Sequence, residues 1–154
     1  MSVATGLVLL DTNILVHLLR ASSLGKRVAE VHGLLSKAHR PLVSVVTVGE
    51  VLAFAKKRAW GAQKVSKLHE LLRQLVVVDI HLDAVLERYA TFDVFCGSKG
   101  RVLGKNDLWI AATASAVSAL LLTTDKDFDL LHSERFLARS WYDPAPAGEA
   151  AGGG

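Results

Sequence analysis

Short apolar runs recur along the chain, separated by longer segments in which apolar residues return at helical spacing. The runs are rich in Val and Leu and do not alternate with polar residues, which is typical of strands in a parallel sheet covered by helices on both faces. The candidate strands are Leu7–Leu10, Leu42–Val46, Leu75–Val78 and Ala119–Leu122, with Arg139–Tyr142 as a shorter candidate for an edge strand.

The segments between these runs predict helices. Apolar residues recur at helical spacing in Val28–Ala38 and Val65–Leu75, and small and apolar residues dominate Leu108–Val117. An alternation of strands and helices is typical of an α/β domain built on a parallel sheet. The pattern therefore places the chain in the α/β class.

The length of the chain, 154 residues, fits one domain with one core. We expect this domain to span residues 1–142. The remaining residues, 143–154, are mostly Pro, Ala and Gly and are expected to be disordered. Within the domain, the three glycines and three basic residues of Phe95–Lys105 predict a mobile loop.

Composition narrows the class of protein further. Hydrophobic residues make up 51% of the chain, which excludes a disordered protein. No apolar run approaches the ~20 residues that span a bilayer, and the N-terminal pattern does not resemble a signal peptide. A single cysteine, Cys96, excludes an internal disulfide framework. Together these features favour a cytoplasmic protein without a membrane partner.

Acidic residues follow the ends of several predicted strands. Asp11 ends the first strand, Glu50 follows the second and Asp125 follows the fourth. Asp107 opens the helix that leads into the fourth strand. Because ligands of open α/β sheets bind beyond the carboxyl ends of the strands, we expect these acids to converge there.

Converging carboxylates repel one another, and a divalent cation such as Mg²⁺ relieves that repulsion. A bound ion of this kind can activate water and neutralise phosphate oxygens. The formal net charge of +3 and the sequence pI of about 9.2 favour a polyanionic substrate. The sequence thus predicts metal-dependent hydrolysis of phosphodiesters.

Helix capping is the competing explanation for each acid taken alone. Side-chain oxygens of Asp, Asn and Thr satisfy the free N–H groups of a first helical turn, wherever that helix lies in the fold. A metal site, by contrast, requires the acids to lie together. The caps that the sequence allows are Asp11, a Thr47–Glu50 capping box, Asn106 or Asp107 before Leu108, and Asp125 before a turn through Phe128.

Four motifs resemble those of the PIN-domain ribonucleases, and most closely the VapC-type toxins of toxin–antitoxin pairs. They are "LLDTN", "SVVTVGEV", "NDLWIAATA" and "LLTTDKDF", and their order and spacing agree as far as Tyr142. The resemblance implies a three-layer α/β/α sandwich with a central parallel sheet. It also implies an endoribonuclease that uses Mg²⁺, or alternatively Mn²⁺.

The resemblance assigns catalytic roles to Asp11, Glu50, Asp107 and Asp125. Asp11 and Asp107 are expected to bind the metal directly, whereas Glu50 and Asp125 act mainly through water. Neighbouring polar residues of the same motifs are expected to support the acids. These are Thr12, Asn13, Thr47 and Thr124.

Two acids near the motifs are assigned to local structure. Asp79 ends a strand that is predicted to lie at the sheet edge, so we interpret it as a surface or turn residue. Asp127 could assist the site, but its position two residues after Asp125 fits local structure at least as well.

Two basic clusters are candidates for RNA binding. One is Lys56–Arg58, which could equally be an ordinary solvated surface. The other, which we prefer, lies in the glycine-rich loop that leads directly into the third motif, and consists of Lys99, Arg101 and Lys105.

The resemblance also implies partners, namely an RNA substrate, a second copy in a homodimer and a cognate antitoxin whose segment covers the acidic groove. Two other classes stay open. One is a PIN fold that binds RNA or protein without cutting. The other is a different α/β enzyme that acts on phosphoryl groups. A haloacid-dehalogenase-type phosphatase would need a second Asp where this chain has Asn13, which argues against that family. A receiver domain would be labelled by a small phosphodonor.

Overall fold

A parallel sheet of five strands forms the centre of the protein in the computed structural model, which describes residues 6–34, 36 and 40–144. The strands are β1 (Val8–Leu10), β2 (Leu42–Ser44), β3 (Val76–Val78), β4 (Leu120–Thr123) and β5 (Arg139–Trp141). Their order in the sheet is β3-β2-β1-β4-β5. All five predicted strands are therefore confirmed, and the last does lie at an edge.

Helices cover both faces of the sheet. They are α1 (Thr12–Arg20), α2 (Ser23–His32), α3 (Val45–Lys57), α4 (Ala62–Arg73), α5 (Asp83–Ser98), α6 (Lys105–Ala116) and the short α7 (Asp129–Ser133), which a 3₁₀ turn at Lys126–Phe128 precedes. Helices α1 to α4 pack on one face and α5 to α7 on the other. This arrangement is the predicted three-layer α/β/α sandwich.

Alternate residues of the strands pack into two separate apolar layers, one on each face of the sheet. Leu9 and Leu121 pack with Phe92 on the side of α5 and α6, whereas Leu10 and Leu122 pack on the opposite side under α1 to α4. Full burial of each such side chain stabilises the fold by about 1.5–3 kcal/mol. The sheet therefore divides the interior into two apolar cores, where the sequence had predicted one.

Among the described residues, no helix has the length and apolar character needed to cross a membrane.

The structure corrects the predicted end of the second strand. Helix α3 begins at Val45, and the Ser44 hydroxyl accepts a hydrogen bond from the Val46 N–H at 3.1 Å. Ser44 is therefore the N-cap, and the predicted Thr47–Glu50 capping box is wrong because Thr47 lies buried inside the helix. The β-branched residues at the start of α3 had suggested a longer strand.

Other element boundaries differ as well. Helix α5 continues to Ser98 and α6 begins after its N-cap Gly104, so the predicted loop at Phe95–Lys105 shortens to residues 99–104. The prediction that Asn106 or Asp107 caps this helix is wrong, because both lie within its first turn.

Helix α2 ends at His32, where Gly33 adopts φ 60°, and not at Ala38 as predicted. Ala38 itself lies outside the described residues, as do residues 145–154 of the predicted tail.

Gly25 is required by the close approach of α2 to α1. A Cβ added at Gly25 would lie 2.3 Å from the carbonyl oxygen of His17 and 2.7 Å from its carbonyl carbon, and backbone atoms cannot rotate away. We expect Gly25→Ala to lower the free energy of unfolding by about 3 kcal/mol, the upper end of overpacking costs. Urea denaturation measures this value.

Gly97→Ala is the matched control, since Gly97 also lies in a helix but a Cβ there meets nothing within 4 Å. This variant should gain about 0.5–1 kcal/mol from the lower backbone entropy of its unfolded state. Equal stability of the two variants would contradict the proposed close approach.

Candidate active site

The candidate site lies where β1 and β4 are neighbours at the centre of the sheet. The chain connects β1 to β2 on one side and β4 to β5 on the other, so this is the switch point at which open α/β sheets bind ligands. A cavity of about 950 Å³ opens there. Of the predicted site residues, its lining includes Asp11, Thr12, Asn13, Glu50, Asp107, Thr124 and Asp125.

Asp11 directly follows β1 and is only 4% exposed. Its Oδ1 accepts a hydrogen bond from the Thr12 N–H at 2.8 Å, and its Oδ2 accepts one from the Thr123 hydroxyl at 2.7 Å. Asp11 is thus the N-cap of α1, as the capping hypothesis predicted, but each carboxylate oxygen retains a further lone pair. Burial raises the pKa of Asp11, the hydrogen bonds from Thr123 and Thr12 lower it, and the charges of Asp125 and Glu50 raise it. Together these effects bring the pKa to about 6.

Glu50 is held by one hydrogen bond at each carboxylate oxygen. The Thr12 hydroxyl donates to Oε1 at 2.7 Å, and the Asn106 amide donates to Oε2 at 3.1 Å. The hydroxyl oxygens of Thr12 and buried Thr47 lie 3.1 Å apart. Residues of the first, second and third motifs therefore fix the orientation of this side chain together.

Asp107, in the first turn of α6, has the most perturbed carboxyl group of the site. Its pKa rises to about 7, first because of partial burial and then because of the negative charges of Asp11, Asp125, Glu50 and Asp127, in that order. The pKa of a carboxyl group rises in this way when acids lie close together, and shifts of this kind are typical of functional sites.

Asp125 caps the 3₁₀ turn, because its Oδ1 accepts a hydrogen bond from the Asp127 N–H at 2.8 Å. This confirms the predicted cap. Within the described part of the chain, Asp107, Asp125 and Asp127 form a group whose ligand oxygens all lie within 4.8 Å of one another. Burial and then the charge of Asp125 raise the pKa of Asp127. Asp127 therefore takes part in the local turn that the sequence favoured, and its carboxylate also lies beside Asp107 and Asp125, although it does not line the cavity.

Two contributions to the site were not predicted. Thr123 donates to Asp11, and it also accepts a hydrogen bond from the Asp125 N–H at 2.9 Å, so it joins two of the acids. Asn106 was considered only as a cap, yet it orients Glu50. Their positions are the signal in the sequence: Asn106 directly precedes Asp107, and Thr123 ends β4 at this edge of the sheet.

Some predicted residues lie elsewhere. Asp79 follows the edge strand β3 and is exposed, with its Oδ2 2.9 Å from Nδ1 of His81, as its assignment to the surface implied. Among the described residues that line the cavity, the loop cations Lys99, Arg101 and Lys105 are not included. Their role in RNA binding stays a prediction.

The donor set of the site fits a hard divalent cation. Four carboxylates share one cavity, and the ion pairs formed by the described residues, Asp79–His81 and Asp129–Arg139, do not involve them. Oxygen ligands without His or Cys suit Mg²⁺ or Mn²⁺ better than Zn²⁺. The arrangement can therefore bind a metal and present it to a phosphate group.

Thr123→Val is expected to weaken the site without removing an acid. The change leaves Asp11 Oδ2 and the Asp125 N–H without their partner, which should cost about 1–3 kcal/mol of stability. Loss of this orienting contact should reduce metal affinity about 10–100-fold. Calorimetry with Mn²⁺ and urea denaturation measure the two effects.

Thr113→Val provides the control, because Thr113 is equally buried but donates only to the Trp109 carbonyl within its own helix. A Thr113→Val variant that loses as much metal affinity as Thr123→Val would contradict the assigned role of Thr123.

The fold and the acid-lined cavity define an α/β/α protein with a carboxylate-lined site at the switch point of its sheet. The sequence profile of the PIN domain matches residues 8–132, and the chain belongs to the PIN domain family. It is similar to Ribonuclease VapC1 of Haemophilus influenzae (strain R2866), with 30% identity over 139 residues, which are 88% of this chain and 96% of that protein.

Solved structures resemble the fold closely. VapBC2 from Rickettsia felis, bound to a DNA fragment from its promoter, aligns with a TM-score of 0.75 and 25% identity over 89% of this chain and 99% of that one. VapBC-1 from nontypeable Haemophilus influenzae aligns with a TM-score of 0.73 and 26% identity over 88% of this chain and 97% of that one.

Proposed function

We propose that this protein is a metal-dependent endoribonuclease that acts as the toxin of a toxin–antitoxin pair and hydrolyses RNA phosphodiester bonds. The observation that carries the proposal is the convergence of Asp11, Glu50, Asp107 and Asp125 around one cavity. The similarity to Ribonuclease VapC1 supports the reaction, and the similarity to VapBC complexes supports the biological role.

In this proposal, Asp11 and Asp107 bind Mg²⁺ or Mn²⁺ directly, while Glu50 and Asp125 act mainly through water. When bound, the ion supplies an activated water and neutralises charge on the phosphate. Thr12 fixes both Asp11 and Glu50, and Asn13 and Thr124 line the cavity beside them. Asp127 adds a carboxylate next to Asp125, and the Thr47 hydroxyl oxygen lies 3.1 Å from that of Thr12, so it helps to position the Thr12 side chain.

The proposed partner is an antitoxin segment that covers the cavity and places a cation among the carboxylates. A guanidinium group forms charge-assisted bidentate hydrogen bonds with carboxylates and would compete with the metal for the same oxygens. We also infer a homodimer that acts in the cytoplasm, where the RNA substrate is found.

Cleavage of total cellular RNA by the purified protein tests the proposal. With Mg²⁺ or Mn²⁺ we expect new, discrete 5′ ends in sequencing, and with a chelator we expect none. Asp107→Asn should abolish them, whereas Asp79→Asn, an acid exposed at the sheet edge, should not.

Cleavage that persists in the chelator would contradict the metal dependence. A folded, metal-loaded protein that yields no new ends, yet binds RNA equally with and without metal, would instead indicate the non-catalytic binding module.

A further inference from the structure

The cavity that holds the acids also has a basic end, formed by Arg20, Lys57 and Arg58. Helices α1 and α3 both start at the acidic end and run toward this basic end. On α3, Glu50 and Lys57 both line the cavity and are separated by seven residues, which is two turns or about 10 Å on one helical face. On α1, Asn13 and Arg20 have the same spacing.

Phe54, one turn before Lys57, holds two of the cations in place. The guanidinium carbon of Arg58 lies 4.7 Å from the centre of the Phe54 ring, and that of Arg20 lies 5.9 Å from it. Trp60 packs edge-on against the same ring, with 5.6 Å between ring centres. Cation–π attraction thus brings Arg20, at the end of α1, and Arg58, the C-cap of α3, to the same ring.

These cations are not neutralised within the described part of the chain. The ion pairs found there join Asp79 to His81 and Asp129 to Arg139, so Arg20, Lys57 and Arg58 have no carboxylate partner within 4 Å. The cavity therefore carries unpaired positive charge at one end and unpaired negative charge at the other. An RNA strand fits both ends, because its phosphates bind the cations directly and meet the acids through a metal ion.

We propose that a phosphate-binding wall, formed by Arg20, Lys57 and Arg58, binds the RNA strand beside the cleaved bond. Phe54 positions the two arginines of this wall. This inference rests on the proposed ribonuclease function. An acidic protein segment is the competing occupant, but it would be repelled by the acids at the other end of the cavity.

A purely structural role for the cations must be separated from RNA binding. Arg20 and Lys57 lie in the last turns of their helices, where positive charge stabilises the helix dipole. Lys56 and Arg73 are exposed cations in the last turns of α3 and α4, and they do not line the cavity. The variant Lys56→Gln/Arg73→Gln therefore removes the same charge from the same kind of position.

The experiment compares Arg20→Gln/Lys57→Gln with this control. The probe is a fluorescein-labelled, mixed-sequence single-stranded RNA of about 16 nucleotides, bound in a chelator over a range of salt concentrations. We expect the cavity variant to bind at least about 10-fold more weakly and to lose about 1.4 from the slope of log K against log salt. In metal-dependent cleavage its KM should rise while kcat stays close to that of the wild type.

Equal binding by the two double variants, or a wild type that binds no RNA in chelator, would overturn the proposal. So would a cavity variant that loses binding of poly-L-glutamate but keeps its RNA affinity, since that result assigns the wall to an acidic protein segment. Cleavage by the wild type is measured separately with metal, so failure of the ribonuclease function and failure of the wall give different results.

Phe54→Leu tests the positioning role without changing any charge. We expect its RNA affinity to fall by less than that of the double variant, because the guanidinium groups remain but are no longer held over a ring. An unchanged affinity in a folded Phe54→Leu variant would overturn the role of the ring.

Discussion

Replacing Asp11 by Asn is expected to reduce RNA cleavage at least about 100-fold and to leave the fold intact. Asn is as good an N-cap as Asp, so the cap of α1 is retained, but the charge that attracts the metal is lost. The expected loss exceeds the 10–100-fold effects typical of residues that only orient a metal ligand. Single-turnover cleavage in excess metal measures it.

Asp107→Asn should have a similarly large effect, although Asp107 caps no helix. The pair therefore separates catalysis from capping. The control is Asp79→Asn, the same chemical change at an exposed acid, and it should leave the rate unchanged. Full activity in both Asp11→Asn and Asp107→Asn would refute the assignment of the site.

The metal-free protein is expected to lose stability as the pH rises from 5 to 8. The folded protein holds Asp11 and Asp107 at pKa values of about 6 and 7, above the ordinary value of 3.8, so between these limits it binds more protons than the unfolded chain. The free energy of unfolding therefore falls as pH rises. Over the whole interval from below pH 3.8 to above pH 6, Asp11 alone accounts for about 3 kcal/mol, of which about 1.4 kcal/mol falls between pH 5 and pH 8. Solvent screening reduces the share of the partly exposed Asp107.

Divalent metal should reverse this loss. At pH 8 both carboxyl groups are charged, so Mn²⁺ binding should restore stability, whereas at pH 5 the ion must displace protons and should add less. Urea denaturation at both pH values, with Mn²⁺ and with chelator, measures these differences. Burial lowers the pKa of His32 and His132, which gives a slope of opposite sign.

The variant Asp11→Asn/Asp107→Asn isolates the contribution of the acids from that of the histidines. Relative to the wild type in chelator, it should gain more stability at pH 8 than at pH 5. If the difference between the two proteins were the same at both pH values, the raised pKa values would be wrong.

The three inner strands β1, β2 and β4 were predictable because they are almost fully buried. Leu9 and Leu10 face opposite layers, and so do Leu121 and Leu122, so each strand appears in the sequence as an unbroken apolar run. The start of α3 was not predictable from propensity. Val45 and Val46 favour a strand by themselves, and the helix begins there because Ser44 caps it.

The acids of the site were predictable because strand ends and motifs mark them. Their connections were not, since each depends on residues that only the fold brings together. Thr123 meets Asp11 across neighbouring strands, and Asn106 on α6 meets Glu50 on α3. The capping and catalytic explanations of Asp11 also turned out to be compatible, because a cap uses only part of the hydrogen-bonding capacity of a carboxylate.

The sequence predicted only part of the basic end of the cavity. The cluster Lys56–Arg58 was a candidate, but nothing near it in the chain points to Arg20, which reaches the same ring from another helix. The sequence also could not separate Lys57 from Lys56, whereas the structure places only the former in the lining of the cavity.

Anomalous scattering from crystals soaked in Mn²⁺ tests the central claim most directly, because it locates the ion without relying on activity. We predict a manganese peak in the cavity, with carboxylate oxygens of Asp11 and Asp107 at about 2.1 Å, and no peak in crystals of Asp11→Asn. A cavity without manganese in the wild type, or an equal peak in the Asp11→Asn variant, would contradict the account.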